Sequence, residues 1–367
     1  MWLLSTDRAE LHYFSRTFDA DGGYAILSHT WDEDEQTFQE VRAISERCRR
    51  NEANPRDDLE LSPKIRGLCI LAEEHGYQWA WADSCCIDKT SSSELSEAVN
   101  SMYRWYSDCE VCYAYLADVP SDCVLDAPNS AFRRSRWHTR GWTLQELIAP
   151  ACLLFISRDW KELGNRTTLA GLLQEITAID SRIFNRQKRP SDFSVATRMN
   201  WASKRRTTRV EDEAYCLMGL FDVNMPTNYG EGERAFTRLQ YEIMRHDSDT
   251  SLFVFGDDFL PCEDLSIRHI SLGFYIDVCD TWQFLLASSP REFETQAHYT
   301  PRLRKSSLSV SQPYPFRDAH SIQPNFLYMT GQRRLMGRHC GQESFRCCRA
   351  PSDLSDQLRR RTATPDI

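Results

Sequence analysis

Residues 24–31 read YAILSHTW, and the prediction of the fold starts from this stretch. It contains a compact apolar run that is entered through the turn-forming residues 21–23, which is typical of a buried β-strand. The run ends at Ser28 and His29, just before an acidic loop over residues 32–35. The stretch therefore predicts a buried strand with polar side chains gathered at its carboxyl end.

Apolar runs of strand length recur along the first half of the chain. They occupy residues 79–82, 111–116 and 152–156. Between the runs, apolar residues at helical spacing predict helices, among them helices over 38–50 and 62–76. Strands that alternate with helices at this spacing indicate βαβ units. The sequence therefore predicts an α/β fold, in which a parallel sheet is flanked by helices.

Changes in composition and periodicity divide the chain into four predicted segments. Residues 1–160 form the α/β domain, 161–250 a mostly helical extension packed on it, and 251–298 a small annex. Beyond these there is little periodicity and much Arg, Ser and Pro. Residues 301–367 hold 12 Lys and Arg against 5 Asp and Glu, so 299–367 is predicted to be a basic, weakly ordered or disordered tail.

Composition argues against several functional classes. The formal net charge is −9 and the tail is basic, so the acidic residues concentrate in the body of the chain, and nucleic-acid binding is not expected. No apolar run is long enough to span a bilayer. Polar residues follow the first four at once, so the 14 cysteines indicate a reduced, cytoplasmic protein. The C-x-x-C pair of Cys109 and Cys112 lacks a second such pair, so no metal site is expected.

Polar loops follow the predicted strands and would gather at one edge of the sheet. These loops are residues 28–34, 83–88 and 118–141. In open parallel sheets, ligands bind at the carboxyl ends of the strands, where such loops meet. Glu146 would stand directly behind the loops, so this edge is the predicted location of the functional site.

Residues 136–150 read RWHTRGWTLQELIAP, which changes from a cationic loop to a short helix. Gly141 permits an unusual backbone turn before the helix, and Pro150 cannot continue it. Glu146 lies close to arginines and tryptophans, where burial and cationic neighbours would tune the pKa of a catalytic carboxylate. The alternative is structural, because Thr143 and Glu146 also fit a capping box in which the glutamate bonds only to the backbone.

Several blocks of the sequence resemble the fungal heterokaryon incompatibility (HET) domain family. The blocks that carry the resemblance are residues 24–31, 83–89, 97–102, 105–106 and 140–147. A further block resembles the segment that follows the domain in many of these proteins, and it comprises residues 201, 205–209, 229–232 and 236. The resemblance implies a role in fungal non-self recognition after hyphal fusion, a form of innate immunity in which the domain triggers regulated cell death.

HET domains are also similar to Toll/interleukin-1 receptor (TIR) domains, which implies a TIR-like, flavodoxin-like arrangement of the parallel sheet. Plant-type TIR domains have a tryptophan four residues before an active-site glutamate, and Trp142 and Glu146 match that spacing. The resemblance therefore implies an NAD hydrolase, with NAD as the substrate and no cofactor. It also implies a partner, which is either a second copy of the chain or another incompatibility or sensor protein.

Cleavage of the nicotinamide–ribose bond of NAD gives the candidate residues their expected roles. Glu146 would be the catalytic carboxylate that stabilises an oxocarbenium-like transition state. Trp31 or Trp142 would stack on the nicotinamide or the adenine. Arg140 would pair with the diphosphate.

The other two candidates, Ser28 and Asp83, follow predicted strands and would bind the ribose or position the loop. Each substrate-binding candidate also has a plainer interpretation. Trp142 would be an anchor in the core, and Ser28 would be a satisfied hydroxyl in a turn. Arg140 would be the ion-pair partner of Asp83 or Asp88.

Further functions stay open at the level of sequence. Cys86 with His29 or His138 would make a thiol protease only if a cysteine–histidine contact forms. Residues 230–232, which read GEG, lack the strand and the lysine of a phosphate loop and are interpreted as a turn. A non-enzymatic signalling module would act by self-association, with surfaces that include the acidic loop 32–35. A degenerate family member would have no activity.

Overall fold

A mixed β-sheet organises the part of the chain that the computed structural model describes, residues 1–16, 19–255 and 286–296. Its seven strands are β1 (Trp2–Ser5), β2 (Leu11–Tyr13), β3 (Ala25–His29), β4 (Trp79–Trp81), β5 (Val111–Leu116), β6 (Leu153–Ser157) and β7 (Glu162–Asn165). Their order across the sheet is β2-β1-β4-β3-β5-β6-β7.

The centre of the sheet is parallel, as the sequence predicted. Strand β3 pairs in parallel with both β4 and β5, and β5 pairs in parallel with β6. Taken in chain order, these four strands lie in the sequence 2-1-3-4, which is the order of flavodoxin-like sheets. The α/β fold class is therefore confirmed. The edges differ from the prediction of a purely parallel sheet, because β1, β2 and β7 join it in antiparallel pairs.

Strand β3 forms the middle of this sheet because its side chains suit complete burial. All five of its residues are buried. Ala25 lies opposite Ala80 on one side and Val111 on the other, and Ile26 lies opposite Trp81 and Cys112. A strand buried on both faces reads as a continuous apolar run, which is the pattern seen in the sequence. Its polar end, at Ser28 and His29, consequently falls at the carboxyl edge of the sheet.

Ten α-helices accompany the strands in the described part of the chain. They are α1 (Phe38–Arg50), α2 (Pro63–Glu74), α3 (Ser92–Asp108), α4 (Ala131–Arg134), α5 (Thr143–Ile148), α6 (Ala170–Thr177), α7 (Ser181–Phe184), α8 (Val195–Ser203), α9 (Asp212–Tyr215) and α10 (Arg234–His246). The first two confirm the helices predicted over 38–50 and 62–76. Hydroxyl side chains cap the first three, with Thr37, Ser62 and Ser91 each accepting a hydrogen bond from a backbone N–H of the first turn.

The chain after β7 is mainly helical and attaches to the loop before α5. Arg206 accepts a hydrogen bond from the N–H of Gly141 (2.8 Å) and donates one from its own N–H to the carbonyl of Thr139 (2.7 Å). The buried guanidinium of Arg205 donates to the carbonyl of Arg140 and to the hydroxyl of Thr143, each at 2.9 Å. These bonds hold the loop before α5 and the segment after α8 together.

All the described residues belong to one compact unit. The predicted boundaries at residues 160 and 250 stay predictions. Most of the proposed annex and the whole of the proposed basic tail, 299–367, lie outside the described residues. Within the described ranges, no helix has both the length and the apolar character needed to cross a membrane.

Gly141 is required for close packing and not for an unusual backbone turn. Its φ does not fall among the positive values found at other glycines, so the turn that was predicted here is wrong. A Cβ at this position would instead lie 2.5 Å from the methyl carbon of Thr207 and 3.3 Å from the sulfur of Cys216. The glycine therefore allows the segment after α8 to approach the start of α5.

We predict that Gly141→Ala lowers the free energy of unfolding by about 1–3 kcal/mol, the usual penalty for overpacking. Gly171→Ala is the matched control, because Gly171 is exposed on α6 and a Cβ there meets no atom within 4 Å. The control is expected to stabilise the protein by up to about 1 kcal/mol. Denaturant unfolding of both variants measures the difference, and equal stabilities would contradict the packing argument.

Candidate functional site

A cavity of about 310 Å³ lies at the carboxyl ends of the parallel strands. Trp31 and Asp83, which follow β3 and β4, form one wall, and the start of α5 contributes Trp142 and Glu146. Small-molecule sites have volumes from about 300 Å³ upward and occur at the switch point of such sheets, here between β3 and β5. The cavity is therefore of the size, and in the place, expected for a ligand site.

The carboxyl group of Glu146 is buried against the end of β3. The Ser28 hydroxyl donates a hydrogen bond to Glu146 Oε2, and Trp137 Nε1 donates one to Ser28 Oγ at 2.8 Å. Burial and the nearby negative charge of Asp83 raise the pKa of Glu146 to about 8, while the bond from Ser28 and the charge of Arg140 act against this rise. The two successive hydrogen bonds, from Trp137 to Ser28 and from Ser28 to Glu146, thus orient the carboxyl group, which titrates near pH 8.

The capping-box interpretation of Thr143 and Glu146 is wrong. Trp142 occupies the cap position of α5, and no side chain caps that helix. The Thr143 hydroxyl lies 2.5 Å from the carbonyl oxygen of Trp137 and 2.9 Å from that of Arg140. With its bond from Ser28, the Glu146 side chain faces the end of β3 and the cavity.

Asp83 is the second carboxylate of this wall and is held by two ring nitrogens. His29 Nε2 lies 2.8 Å from Asp83 Oδ1, and Trp31 Nε1 donates to Oδ2 at 2.9 Å. Burial acts to raise the pKa of Asp83, but its bonds to His29 and Trp31 and the charge of Lys89 hold it below its ordinary value. Asp83 is therefore a fixed negative charge beside Glu146.

Lys89 brings a cation into the same wall. Its Nζ lies 4.0 Å from the ring centroid of Trp31, and it donates a hydrogen bond to the carbonyl of Ser84 at 2.9 Å. Burial lowers the pKa of Lys89, although Asp83 acts in the opposite direction. One face of Trp31 is thus covered by an ammonium group, which is a cation–π contact.

The extension supplies another part of the cavity wall, which sequence reasoning did not assign to the site. This wall consists of Thr208, Arg209, Asp212 and Tyr229. The sequence did contain a signal for part of this wall, because residues 205–209 and 229–232 belong to the block that resembles the segment after HET domains. Apolar side chains from Ile87 and from α3 complete the lining.

Of the six residues predicted for the site, five line the cavity: Trp31, Asp83, Arg140, Trp142 and Glu146. Ser28 is fully buried behind it and reaches the cavity only through Glu146. The structure brings these residues together, and their roles toward a substrate stay predictions.

One of the plainer interpretations differs from the contacts observed. Arg140 Nη1 donates to the hydroxyl of Thr208 at 2.7 Å, whereas Asp83 is bonded to His29 and Trp31, and Asp88 to Gln39 and Thr90. Trp142 is half-buried, and it both packs against the hydrophobic core and lines the cavity.

The arrangement does not fit a thiol protease. Cys86 is buried, and its sulfur lies 4.0 Å from that of Cys85. His29 is bonded to Asp83, and His138 packs edge-on against Phe132, where burial lowers its pKa to about 4. Neither histidine is therefore paired with the thiol.

The segment 230–232 is a turn, as interpreted from the sequence. Its potential anion-binding groups are occupied, because Glu211 Oε1 accepts hydrogen bonds from the N–H groups of Gly230 (2.7 Å) and Gly232 (3.1 Å). Among residues 1–16, 19–255 and 286–296, no three or more His, Cys, Asp or Glu side chains are grouped so that they could hold a metal ion.

Comparison with known proteins identifies two regions of the chain. Residues 24–131 match the family described as heterokaryon incompatibility protein (HET), and residues 234–318 match a domain of unknown function (DUF8212). The chain is 44% identical over 235 residues to vegetative incompatibility protein HET-E-1 of Podospora anserina. The aligned region covers 61% of this chain and 16% of that relative. No solved structure matches the chain.

The raised pKa of Glu146 predicts how the free energy of unfolding depends on pH. Between pH 4.5, the ordinary pKa of a glutamate, and about pH 8, the unfolded chain releases the Glu146 proton and the folded chain retains it. Wild-type stability should therefore fall with rising pH in this window, by up to about 1.4 kcal/mol per pH unit relative to Glu146→Gln. Urea unfolding at several pH values measures both proteins, and parallel curves would contradict the burial argument.

Proposed function

We propose that this protein, which belongs to the heterokaryon incompatibility (HET) family through its residues 24–131, acts in fungal heterokaryon incompatibility. The identity of 44% to a vegetative incompatibility protein supports the proposal. We further propose that its output is regulated cell death. Because the chain covers only 16% of that relative, the trigger and the partner are part of the proposal as well.

The proposed reaction is hydrolysis of the bond between nicotinamide and ribose in NAD. The observation that carries it is the buried carboxyl group of Glu146 on the wall of a cavity of about 310 Å³. In this reaction the C1′–N bond breaks and nicotinamide leaves with the electron pair. The ribosyl carbon then adds water and releases a proton, which gives ADP-ribose.

Glu146 would act in its ionised form. As the C1′–N bond breaks, positive charge moves from the pyridinium ring to the ribose, and a carboxylate held nearby stabilises that charge. The substrate is itself cationic at the nicotinamide, so its binding favours ionisation of a group whose pKa in the free protein is about 8. The bond from Ser28 fixes the direction of the carboxylate before substrate arrives.

The neighbouring side chains have compatible roles in this proposal. Trp142 offers an aromatic face on which a base would stack. Trp31 also lines the cavity, and Lys89 covers one face of its ring. Asp83 would accept a hydrogen bond from a ribose hydroxyl, and Arg140 would bind the diphosphate. The spacing of Trp142 and Glu146, which resembles that of TIR domains, supports the same assignment.

Regulation and location complete the proposal. The partner would be a second copy of the chain or another incompatibility or sensor protein, and the reaction would take place in the cytoplasm. All nine cysteines within the described residues are unpaired, which agrees with a reducing compartment. The acidic loop at residues 32–35 is a less available docking surface than its sequence indicated, because Lys64 and Arg136 pair with Asp32 and Lys64 also pairs with Glu35.

We predict that the purified full chain consumes NAD and that Glu146→Gln reduces the rate at least about 100-fold, the usual effect of removing a group that stabilises transition-state charge. Glu46→Gln is the matched control, because its side chain is 61% exposed on α1. Release of nicotinamide is followed by chromatography, and circular dichroism checks the fold of each protein. If clustered, folded wild type consumes no NAD, a non-enzymatic assembly module becomes the better account.

The pH dependence of the reaction provides a separate prediction. Because the ionised form of Glu146 is the active one, kcat/KM should rise with pH and level off above about pH 8, the pKa of this group in the free protein. Initial rates at low NAD concentration between pH 5.5 and 9.5 measure the profile. A rate that is already constant from pH 5.5 upward would assign the catalytic role to a different group.

A further inference from the structure

The wall contributed by the extension contains a cation that the proposed reaction has not used. Arg209 lines the cavity, and its guanidinium carbon lies 4.5 Å from the ring centroid of Tyr229. The guanidinium is thus supported from one side by an aromatic face. Arg209 is itself exposed, so its guanidinium is accessible to a ligand in the cavity.

Arg140 lines the same cavity, and its charge acts on the same carboxyl group, Asp212, as that of Arg209. Its Nη1 donates to the hydroxyl of Thr208, the residue directly before Arg209, at 2.7 Å. The backbones of Arg140 and Arg206 also form a parallel bridge, so this part of the extension is tied to the loop before α5. Two arginines from distant parts of the sequence are therefore brought to one cavity.

Asp212 is the counter-charge that allows this arrangement. The carboxyl group is buried and accepts a hydrogen bond from the Tyr229 hydroxyl at 3.0 Å and a further one from the Trp142 side chain. Burial raises the pKa of Asp212, whereas these bonds and the charges of Arg209 and Arg140 oppose the rise. Arg209 also acts on the carboxyl group of Glu211, which accepts hydrogen bonds from the backbone of Gly230 and Gly232.

We infer that Arg209 and Arg140 together bind the diphosphate of the dinucleotide, so that the extension completes the substrate site. The inference rests on the proposed function and deepens it. Arginine is suited to this role, because its planar guanidinium offers several donors that match the oxygens of a phosphate.

Glu146 lines the same cavity as the two arginines. A ribose joined to a diphosphate that the arginines hold would therefore lie within the cavity that contains its carboxyl group.

Binding of ADP-ribose tests the inference without requiring catalysis. The protein is the full chain with Glu146→Gln, and affinity is measured by titration calorimetry. Adding Arg209→Gln should weaken ADP-ribose binding at least about tenfold, the effect expected from the loss of charge-assisted hydrogen bonds. Arg209→Lys, which retains the charge, should recover part of the affinity. Arg189→Gln is the matched control, because its side chain is 84% exposed and lies outside the cavity lining.

A comparison of substrates separates the role of Arg209 from a general loss of structure. In the chain with Glu146 intact, Arg209→Gln should lower kcat/KM for NAD about tenfold and leave that for nicotinamide riboside, which lacks phosphate, unchanged. An equal decrease for both substrates would overturn the diphosphate assignment. Thermal unfolding of each variant verifies that the fold is retained.

The outcomes distinguish this inference from the proposed reaction. The inference is overturned if the chain with both Glu146→Gln and Arg209→Gln binds ADP-ribose as tightly as the chain with Glu146→Gln alone. It is also overturned if the chain with Glu146→Gln alone fails to bind ADP-ribose at millimolar concentration. Hydrolysis of NAD by the wild type would then still support the proposed reaction. If ADP-ribose binding depends on Arg209 but NAD is not consumed, the diphosphate site stands and the hydrolase assignment fails.

Discussion

Removal of the Glu146 carboxyl group from water is the constraint on which the rest of the site depends. A buried charged carboxylate has a cost of several kcal/mol unless hydrogen bonds and opposite charges compensate for it. Ser28, itself fixed by Trp137, provides a hydrogen bond, and Arg140 and Arg205 provide positive charge. Burial and the charge of Asp83 outweigh them, so the pKa of Glu146 is raised to about 8. The same burial that makes ionisation costly also strengthens every electrostatic interaction of the group, which is why such positions suit catalysis.

The extension is part of this arrangement and not an independent appendage. Arg205, also buried, donates to the carbonyl of Arg140 and the hydroxyl of Thr143, and so fixes the start of α5. Burial lowers the pKa of Arg205 to about 10, yet it remains a cation at neutral pH. The family match ends at residue 131, before α5 and before the extension. The matched region therefore holds the wall with Trp31 and Asp83 and the apolar lining from Ile87 and α3, but not Glu146 or the arginines.

Prediction from sequence worked best where local pattern and burial coincide. The continuous apolar run of β3 and the helical spacing of α1 and α2 each indicate one structure only. Prediction from sequence was incomplete at β2 and β7, which have three and four residues and no fully buried position. Such short edge strands carry little hydrophobic pattern of their own, and their antiparallel pairing depends on neighbours that are distant in the chain.

The sequence alone determined the central parallel strands, the polar residues at their carboxyl ends and the candidate carboxylate Glu146. Tertiary structure alone decided that Glu146 meets Ser28, 118 residues away, and does not cap its helix. It also decided that Arg209 and Asp212 face this site. The physical reason is that periodicity records which side of an element is buried, whereas contacts between distant residues arise only when the sheet and the extension pack together.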